Sequence, residues 1–300
     1  MIAAPFWRGI VFIVLATTLW GASGLFVRAL YGYQLAPLQV VYFANLISGV
    51  ALTAALALVA PRYIRLRWRA MPGVVALGLV GNGLSFVCYA NAVALTGISL
   101  ATLLLYTSPA WVIVLAWRFL GEGIGPRRVL AVGAAFAGCA LVARVYNPEA
   151  VRASLAGLLW GLGSGLGYGL YNVVGKRVLE DTHPLTVTCY GLLSGALLLL
   201  PFQPSLLPLD VQGPAWPWLI AYVVGPALTA PLFFNASLRL LEAGLVSLLS
   251  LWELLVALVL AALLLGEALE VPQALGALLV ISSVLLLRPG PAPAAVPQTG

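Results

Sequence analysis

The chain has very little charge. Of 300 residues, 15 are Lys or Arg and 9 are Asp or Glu, 8% in all. About a quarter of an ordinary soluble domain is charged, so this chain cannot clothe a water-exposed surface in the usual way. Single residue types are equally scarce. His183 is the only histidine, Lys176 the only lysine, and there are three cysteines. Cys88, Cys139 and Cys189 fall on separate apolar segments and read as small packing residues, with neither disulfide nor metal spacing. Clustered metal ligands and an acid/base or nucleophile constellation are absent, so no metal, cofactor or catalytic residue is expected. Lys176 stands in Gly175-Lys176-Arg177 with no phosphate-cradling loop before it, which excludes an ATP-driven pump within the chain. Long polar segments are missing too. The longest lie near 61–70, 145–153 and 202–214, none able to hold a soluble domain.

What is present is apolar. The chain is 62% hydrophobic with a mean hydropathy of +1.06. Ten runs are long enough to span a bilayer, near 9–30, 37–60, 72–95, 99–119, 127–144, 154–176, 184–201, 216–240, 244–265 and 271–287. All are expected to be helices, because hydrocarbon tolerates no open sheet edge and the runs lack barrel-type alternation. The fold class is therefore an all-α polytopic membrane protein with ten transmembrane helices. The first run carries Trp20 and Arg28, exceeds a signal-peptide core, and reads as a true span. With the N-terminus in the cytoplasm, Arg8, Arg62, Arg65, Arg67, Arg69, Arg118, Arg127, Arg128, Lys176, Arg177, Arg239 and Arg288 lie on the cytoplasmic side. Arg28, Arg144 and Arg152 lie on the other, a division of 12 against 3 that places both termini inside. The net charge of +6 thus reports topology and lipid contact and gives no sign of nucleic-acid binding. A monomer is expected, with membrane lipids as neighbours. The tail 289–300 is Pro/Ala-rich and expected to be disordered.

The strongest feature is a repeat. Residues 105–122 read LYTSPAWVIVLAWRFLGE and residues 250–267 read SLWELLVALVLAALLLGE, each closed by Leu-Gly-Glu. Trp20-Gly21 matches Tyr168-Gly169, and Arg28 matches Lys176. Ala36-Pro37-Leu38 matches His183-Pro184-Leu185. The row Gly81, Ser85, Tyr89 matches Gly225, Thr229, Phe233 at an offset of 144, which Asn91 and Asn235 keep. Apolar helices align by accident, but several landmarks in one order do not. Each unit holds five spans, an odd number, so the second enters the membrane inverted. Inverted repeats are the architecture of alternating-access carriers, with the binding site near the midplane between them.

These landmarks, with the early Trp-Gly and the paired polar-Pro and Leu-Gly-Glu patterns, resemble the EamA family of the drug/metabolite transporter superfamily. The resemblance covers a first repeat at 7–145 and a second at 153–288. It implies a bacterial inner-membrane exporter of small metabolites, most similar to the YddG-type aromatic amino acid exporters. One departure is that Glu253 is followed by Leu254 where the family often has proline, which predicts a ninth helix straighter than the fourth, with its Pro109.

Candidate substrate-binding residues are the aromatics and polar groups at mid-depth: Trp20, Ser85, Tyr89, Tyr106, Ser108, Tyr168, Asn172, Thr229, Phe233, Trp252 and Glu253. Aromatic rings away from the interfacial belts stack on planar solutes or hold amines over their faces. Glu253 is a carboxylate near mid-membrane, which marks function by default. It reads either as a partner for a substrate ammonium or proton, or as a structural carboxyl between helices. Its repeat mate is Ser108. In the sixth helix Gly157, Gly161, Gly165 and Gly169 form a close-packing row, beside a polar-aromatic row of Trp160, Ser164, Tyr168 and Asn172 expected to face the cavity. Arg28 and Lys176, near helix ends, read as cations snorkelling to the interface.

Three functions compete. The first is a secondary transporter exporting amino acids, aromatic or amphipathic ones foremost. The second is an exchanger of phosphorylated sugars or nucleotide sugars, which needs central cations that the spans lack. The third is a membrane-embedded scramblase or enzyme.

Overall fold

The structure is a computed structural model that describes residues 4–147, 154–203, 211, 213–266 and 268–286. Arg152, Glu267, Arg288 and the tail 289–300 lie outside the described residues. The described chain is helical, with no strand. Seven helices are long and apolar enough to cross a membrane: α1 (Ala4–Gly32), α2 (Pro37–Val59), α3 (Met71–Thr96), α4 (Ile98–Leu120), α7 (Pro184–Phe202), α8 (Gly213–Leu240) and α9 (Ala243–Leu264). Between and after them run α5 (Pro126–Val142), α6 (Leu155–Asp181) and α10 (Val271–Leu285). The helix α6 has the length, with 27 residues, but is diluted by glycine.

Local signals set the helix ends. Proline opens α2, α5 and α7, where a missing N–H costs nothing. Ser154 caps α6 by accepting from the Gly157 amide at 3.1 Å, and His183 caps α7 through Nδ1, which accepts from the Leu185 amide at 3.3 Å. The two Leu-Gly-Glu stretches gain a meaning here. Gly121 and Gly266 terminate α4 and α9 with φ of 72° and 68°, the left-handed cap that glycine takes without a Cβ clash.

Two irregularities recur in both halves. A π-helical turn interrupts α3 at Gly78–Leu84 and α8 at Val223–Thr229. A tightened turn interrupts α4 at residues 106–107 and α9 at residues 250–251, where Thr107 N bonds Leu104 O and Leu251 N bonds Leu248 O. The expectation of a straighter ninth helix is therefore wrong: α9 breaks at the same place as α4 without a proline. At the break the amides of Leu251, Glu253 and Leu254 simply shift to i→i−3 bonds.

Packing follows the glycines. The row on α6 receives α4: a Cβ on Gly161 would meet Leu104, and one on Gly165 would lie 2.7 Å from Leu104 O. The row faces the broken turn itself. On α1, Gly21 does the same for α9, with Glu253 O 2.6 Å from a would-be Cβ. The helices α5 and α10 pair through Gly138 and Gly276, each against the other's carbonyl. A buried core of Ile13, Val112, Tyr171, Phe234, Leu238 and Val246 joins α1, α4, α6, α8 and α9.

Candidate functional site

The irregular turns free backbone carbonyls, and side chains answer them. On α3, Asn82 O accepts from Asn45 Nδ2 at 3.2 Å. On α8, Pro226 O accepts from Trp20 Nε1 at 3.1 Å and Val223 O from Ser48 Oγ at 3.2 Å. Pro226 lacks an N–H, which helps to fix the wide turn in α8. These bonds bring α1 and α2 against the middle of α8, and they orient Trp20.

Around Trp20 an aromatic box forms. Its ring lies 5.2 Å from Phe234 and 6.5 Å, edge-on, from Tyr168. Tyr171 stacks on Tyr168 at 6.3 Å and lies 5.7 Å from Phe234. Tyr171 donates to Asn235 Oδ1 at 3.4 Å, and Asn235 in turn donates to Thr188 at 2.9 Å, so that side of the box is fully paired. The other side is not. Asn172 Oδ1 is buried without a hydrogen-bond partner, and the Tyr168 hydroxyl, also buried, has only the Ser250 hydroxyl beside it. An unpaired buried polar atom is costly unless something arrives to pair it.

Glu253 lies at the start of the second part of α9, just past its break. It is enclosed by protein yet keeps some accessible surface. The Tyr106 hydroxyl is directed at it, and Tyr168, Tyr89 and Cys139 stand within its electrostatic reach. Tyr89 and Thr102 share a hydrogen bond of 2.9 Å between their hydroxyls. Among the described residues no Lys or Arg belongs to this cluster. Arg28 is exposed near the end of α1, and the Lys176 ammonium donates to Leu238 O, Arg239 O and Leu241 O at the end of α8. Lys176 is thus a helix cap, not the snorkelling cation expected from its position.

Of the predicted residues, the fold brings Trp20, Tyr89, Tyr106, Tyr168 and Glu253 together across α1, α3, α4, α6 and α9, while Asn172 is buried one turn beyond Tyr168 with its amide on Tyr168 O. Ser108 is buried near the α4 break, against Gly169. Four others point elsewhere. Ser85 donates to Ser164 O at 2.9 Å in the α3–α6 seam. Thr229 closes its own π turn through Val224 O at 2.6 Å. Trp252 is 41% exposed and donates to Thr18. Phe233 stacks on Phe12 at 5.7 Å, outside the box. The reason for the last is geometric: the π turn inserts one residue, which rotates everything after it by about 100°, so Phe234 takes the inward place. Trp160, expected on the cavity row, is at the surface, while Ser164 is sealed in packing. Tyr171, Phe234 and Asn235 are the members the row pattern missed. Gly225-Pro226 inside an apolar span was the available signal.

A second cluster ties the halves at one end of the bundle. Glu122, after the α4 cap, accepts from the Ala243 and Gly244 amides at 2.7 and 3.1 Å, at the start of α9. Arg128 pairs with Glu122 at 3.6 Å and with Glu242. Burial raises the Glu122 pKa, against the lowering effect of the two amides and of Arg128. At the other end, Glu270 pairs with Arg144 and accepts from Tyr146, tying α10 to α5.

This arrangement has known relatives. The EamA-like transporter family model matches residues 7–144 and again 155–288, and the chain belongs to that family. It is 29% identical over 275 residues to an uncharacterized transporter of Archaeoglobus fulgidus, covering 91% of this chain and 94% of that one. It is 28% identical over 290 residues to the uncharacterized transporter YwfM of Bacillus subtilis, covering 93% of each. It is 31% identical over 193 residues to the uncharacterized inner membrane transporter YicL of Salmonella typhimurium, covering 62% of this chain and 63% of that protein. A crystal structure superposes with a TM-score of 0.79 at 19% identity, covering 93% of this chain and 95% of that one, which shows a shared fold. The protein is an integral membrane protein of a transporter family.

Proposed function

We propose that the protein is a secondary transporter of small amine-bearing metabolites, amino acids foremost, working by alternating access between two inverted five-helix repeats. The observation that carries this reading is Glu253, an enclosed carboxylate at the break of α9, within reach of the Tyr106 and Tyr168 hydroxyls and of the aromatic box that Tyr168 joins. These acceptors and ring faces suit an ammonium group and its apolar side chain. A phosphate-bearing substrate needs cations in the cluster, and Lys176 is held elsewhere. Ten spans with both termini in the cytoplasm remain the best topology. It is supported by the 12-to-3 charge division and by contacts that join the end of α4 to the start of α9, and the end of α5 to the start of α10. The name of the Salmonella relative favours an inner-membrane location, and export is the direction that the sequence resemblance implies.

The test is counterflow in proteoliposomes loaded with phenylalanine, tryptophan or threonine. Uptake of the labelled amino acid should depend on the internal solute and fall sharply in Glu253→Gln. Absence of counterflow with any amino acid or simple amine sinks the substrate class.

A further inference from the structure

Phe233 leaves the central box but does not face open hydrocarbon. With its stacked partner Phe12 and with Leu232 it floors a cleft of about 420 Å³ between α1, α7 and α8. The rim carries Arg8, at the start of α1, and Arg239, at the end of α8, together with His183, the cap of α7. All three sit at helix ends, the level at which the headgroups of a spanned bilayer meet its hydrocarbon. Both arginines are exposed, and among the described residues neither forms an ion pair or side-chain hydrogen bond. The nearby acids are engaged or turned away. Glu180 pairs with Arg177, Glu242 with Arg128, and Asp181, close in sequence, does not line the cleft. A third cation extends the rim: Arg62 lies over the Tyr63 ring at 4.8 Å, and that ring stacks on His183 at 4.2 Å. The His183 pKa is lowered by burial and then by the charges of Arg239 and Arg62, so the field at the rim is positive.

We infer that this cleft is a binding site for an anionic phospholipid, its phosphate between the Arg8 and Arg239 guanidiniums and its first acyl segments on Phe12 and Phe233. Two unpaired guanidiniums above an apolar floor offer what a glycerophosphate with attached chains presents: a charge to pair and methylenes to bury. A free phosphate has no use for the floor, and a neutral lipid none for the rim. The site also bridges the repeats, since α1 belongs to the first and α7 and α8 to the second. A lipid seated there links the two halves at one membrane surface.

The experiment is native mass spectrometry of the purified full chain with phosphatidylglycerol or phosphatidylcholine, backed by thermal unfolding in nanodiscs of each. Phosphatidylglycerol should bind roughly tenfold to thirtyfold tighter and raise the unfolding temperature more. Arg8→Gln/Arg239→Gln should abolish that preference, while Arg65→Gln/Arg67→Gln, with the same charge change outside the cleft, should keep it. The single variants are measured as well, so that the result does not hang on the double variant folding; each should lose part of the preference. Equal binding of both lipids overturns the inference, as does a preference that survives in Arg8→Gln/Arg239→Gln. Displacement of the lipid by inorganic phosphate alone overturns it too, because the site would then take a free anion.

Discussion

The pair α3–α4 and the pair α8–α9 build the same backbone from different residues. Each has a π turn in its first helix, a tightened break in its second and a left-handed glycine at the end. In the first pair the wide turn is rich in glycine and is stitched by Asn45; in the second it contains Pro226 and is stitched by Trp20 and Ser48. At the break the first pair carries Ser108 and the second carries Glu253. Shared irregularity despite different side chains indicates that the shape is what both copies need. On the proposed function, only the copy that carries Glu253 reads the charge of the solute. Discontinuous helices at mid-depth give carriers both exposed polar groups and places to bend.

The largest effect should come from erasing the inequality at the breaks. Glu253→Gln removes a charge-assisted contact worth about 1.5–3 kcal/mol, so substrate affinity should fall roughly tenfold to a hundredfold. Ser108→Ala should leave it within about threefold. Isothermal titration of the counterflow substrate reads both, and equal effects would dissolve the distinction between the copies.

Next in size is the close approach to each break. A Cβ at Gly165 or Gly21 would lie 2.7 or 2.6 Å from a backbone carbonyl of α4 or α9. Gly165→Ala and Gly21→Ala should each destabilise by about 1–3 kcal/mol, the range for overpacking. Gly24→Ala, three residues on from Gly21 with nothing within 4 Å, is the control and should be neutral or better. Thermal unfolding in detergent ranks the three.

Smaller still are the stitches across the π turns. Trp20→Phe keeps the ring and deletes the bond to Pro226 O; Asn45→Leu deletes the bond to Asn82 O. Each should cost about 1 kcal/mol. Similar losses in the two variants would mean that the wide turns are held equivalently in both copies. A collapse in Trp20→Phe alone would mean that the aromatic box depends on the α8 turn.

Much of this was legible in the sequence, and the failures have separate physical causes. Hydrophobic length marks helices well because hydrocarbon leaves the chain few alternatives. The Gly157–Gly169 row marked a close helix approach, because a side chain there would hold a neighbouring backbone off, but not that the neighbour is α4. What the sequence concealed is helical phase. The Gly225, Thr229, Phe233 row assumes an unbroken 3.6-residue period, and the π turn at Val223–Thr229 advances it by one residue. Phe233 therefore faces the cleft beside Phe12 and Phe234 the box. The ninth helix was misread because proline is a sufficient cause of a break, not a necessary one. Long-range pairing was invisible for another reason: nothing local ties Glu122 to an amide at residue 243.

That contact supplies the smallest and most specific prediction. Glu122 has its pKa raised by burial, partly offset by the Ala243 and Gly244 amides and by Arg128. A raised folded-state pKa means that the native protein holds the proton more readily than the unfolded chain. The corresponding stability is fully present below the unfolded carboxylate pKa and is lost as pH climbs through the folded value. Because burial and the amide donors oppose each other, the slope should be shallow. Unfolding temperatures measured from about pH 4 to about pH 7 should decline slightly more steeply in the native chain than in Glu122→Gln, which cannot titrate. Asn172→Leu, a change one turn beyond Tyr168, should leave that slope untouched. If Glu122→Gln keeps the native slope, the carboxylate is not the titrating group, and the α4-to-α9 junction is held by Arg128 and Glu242 instead.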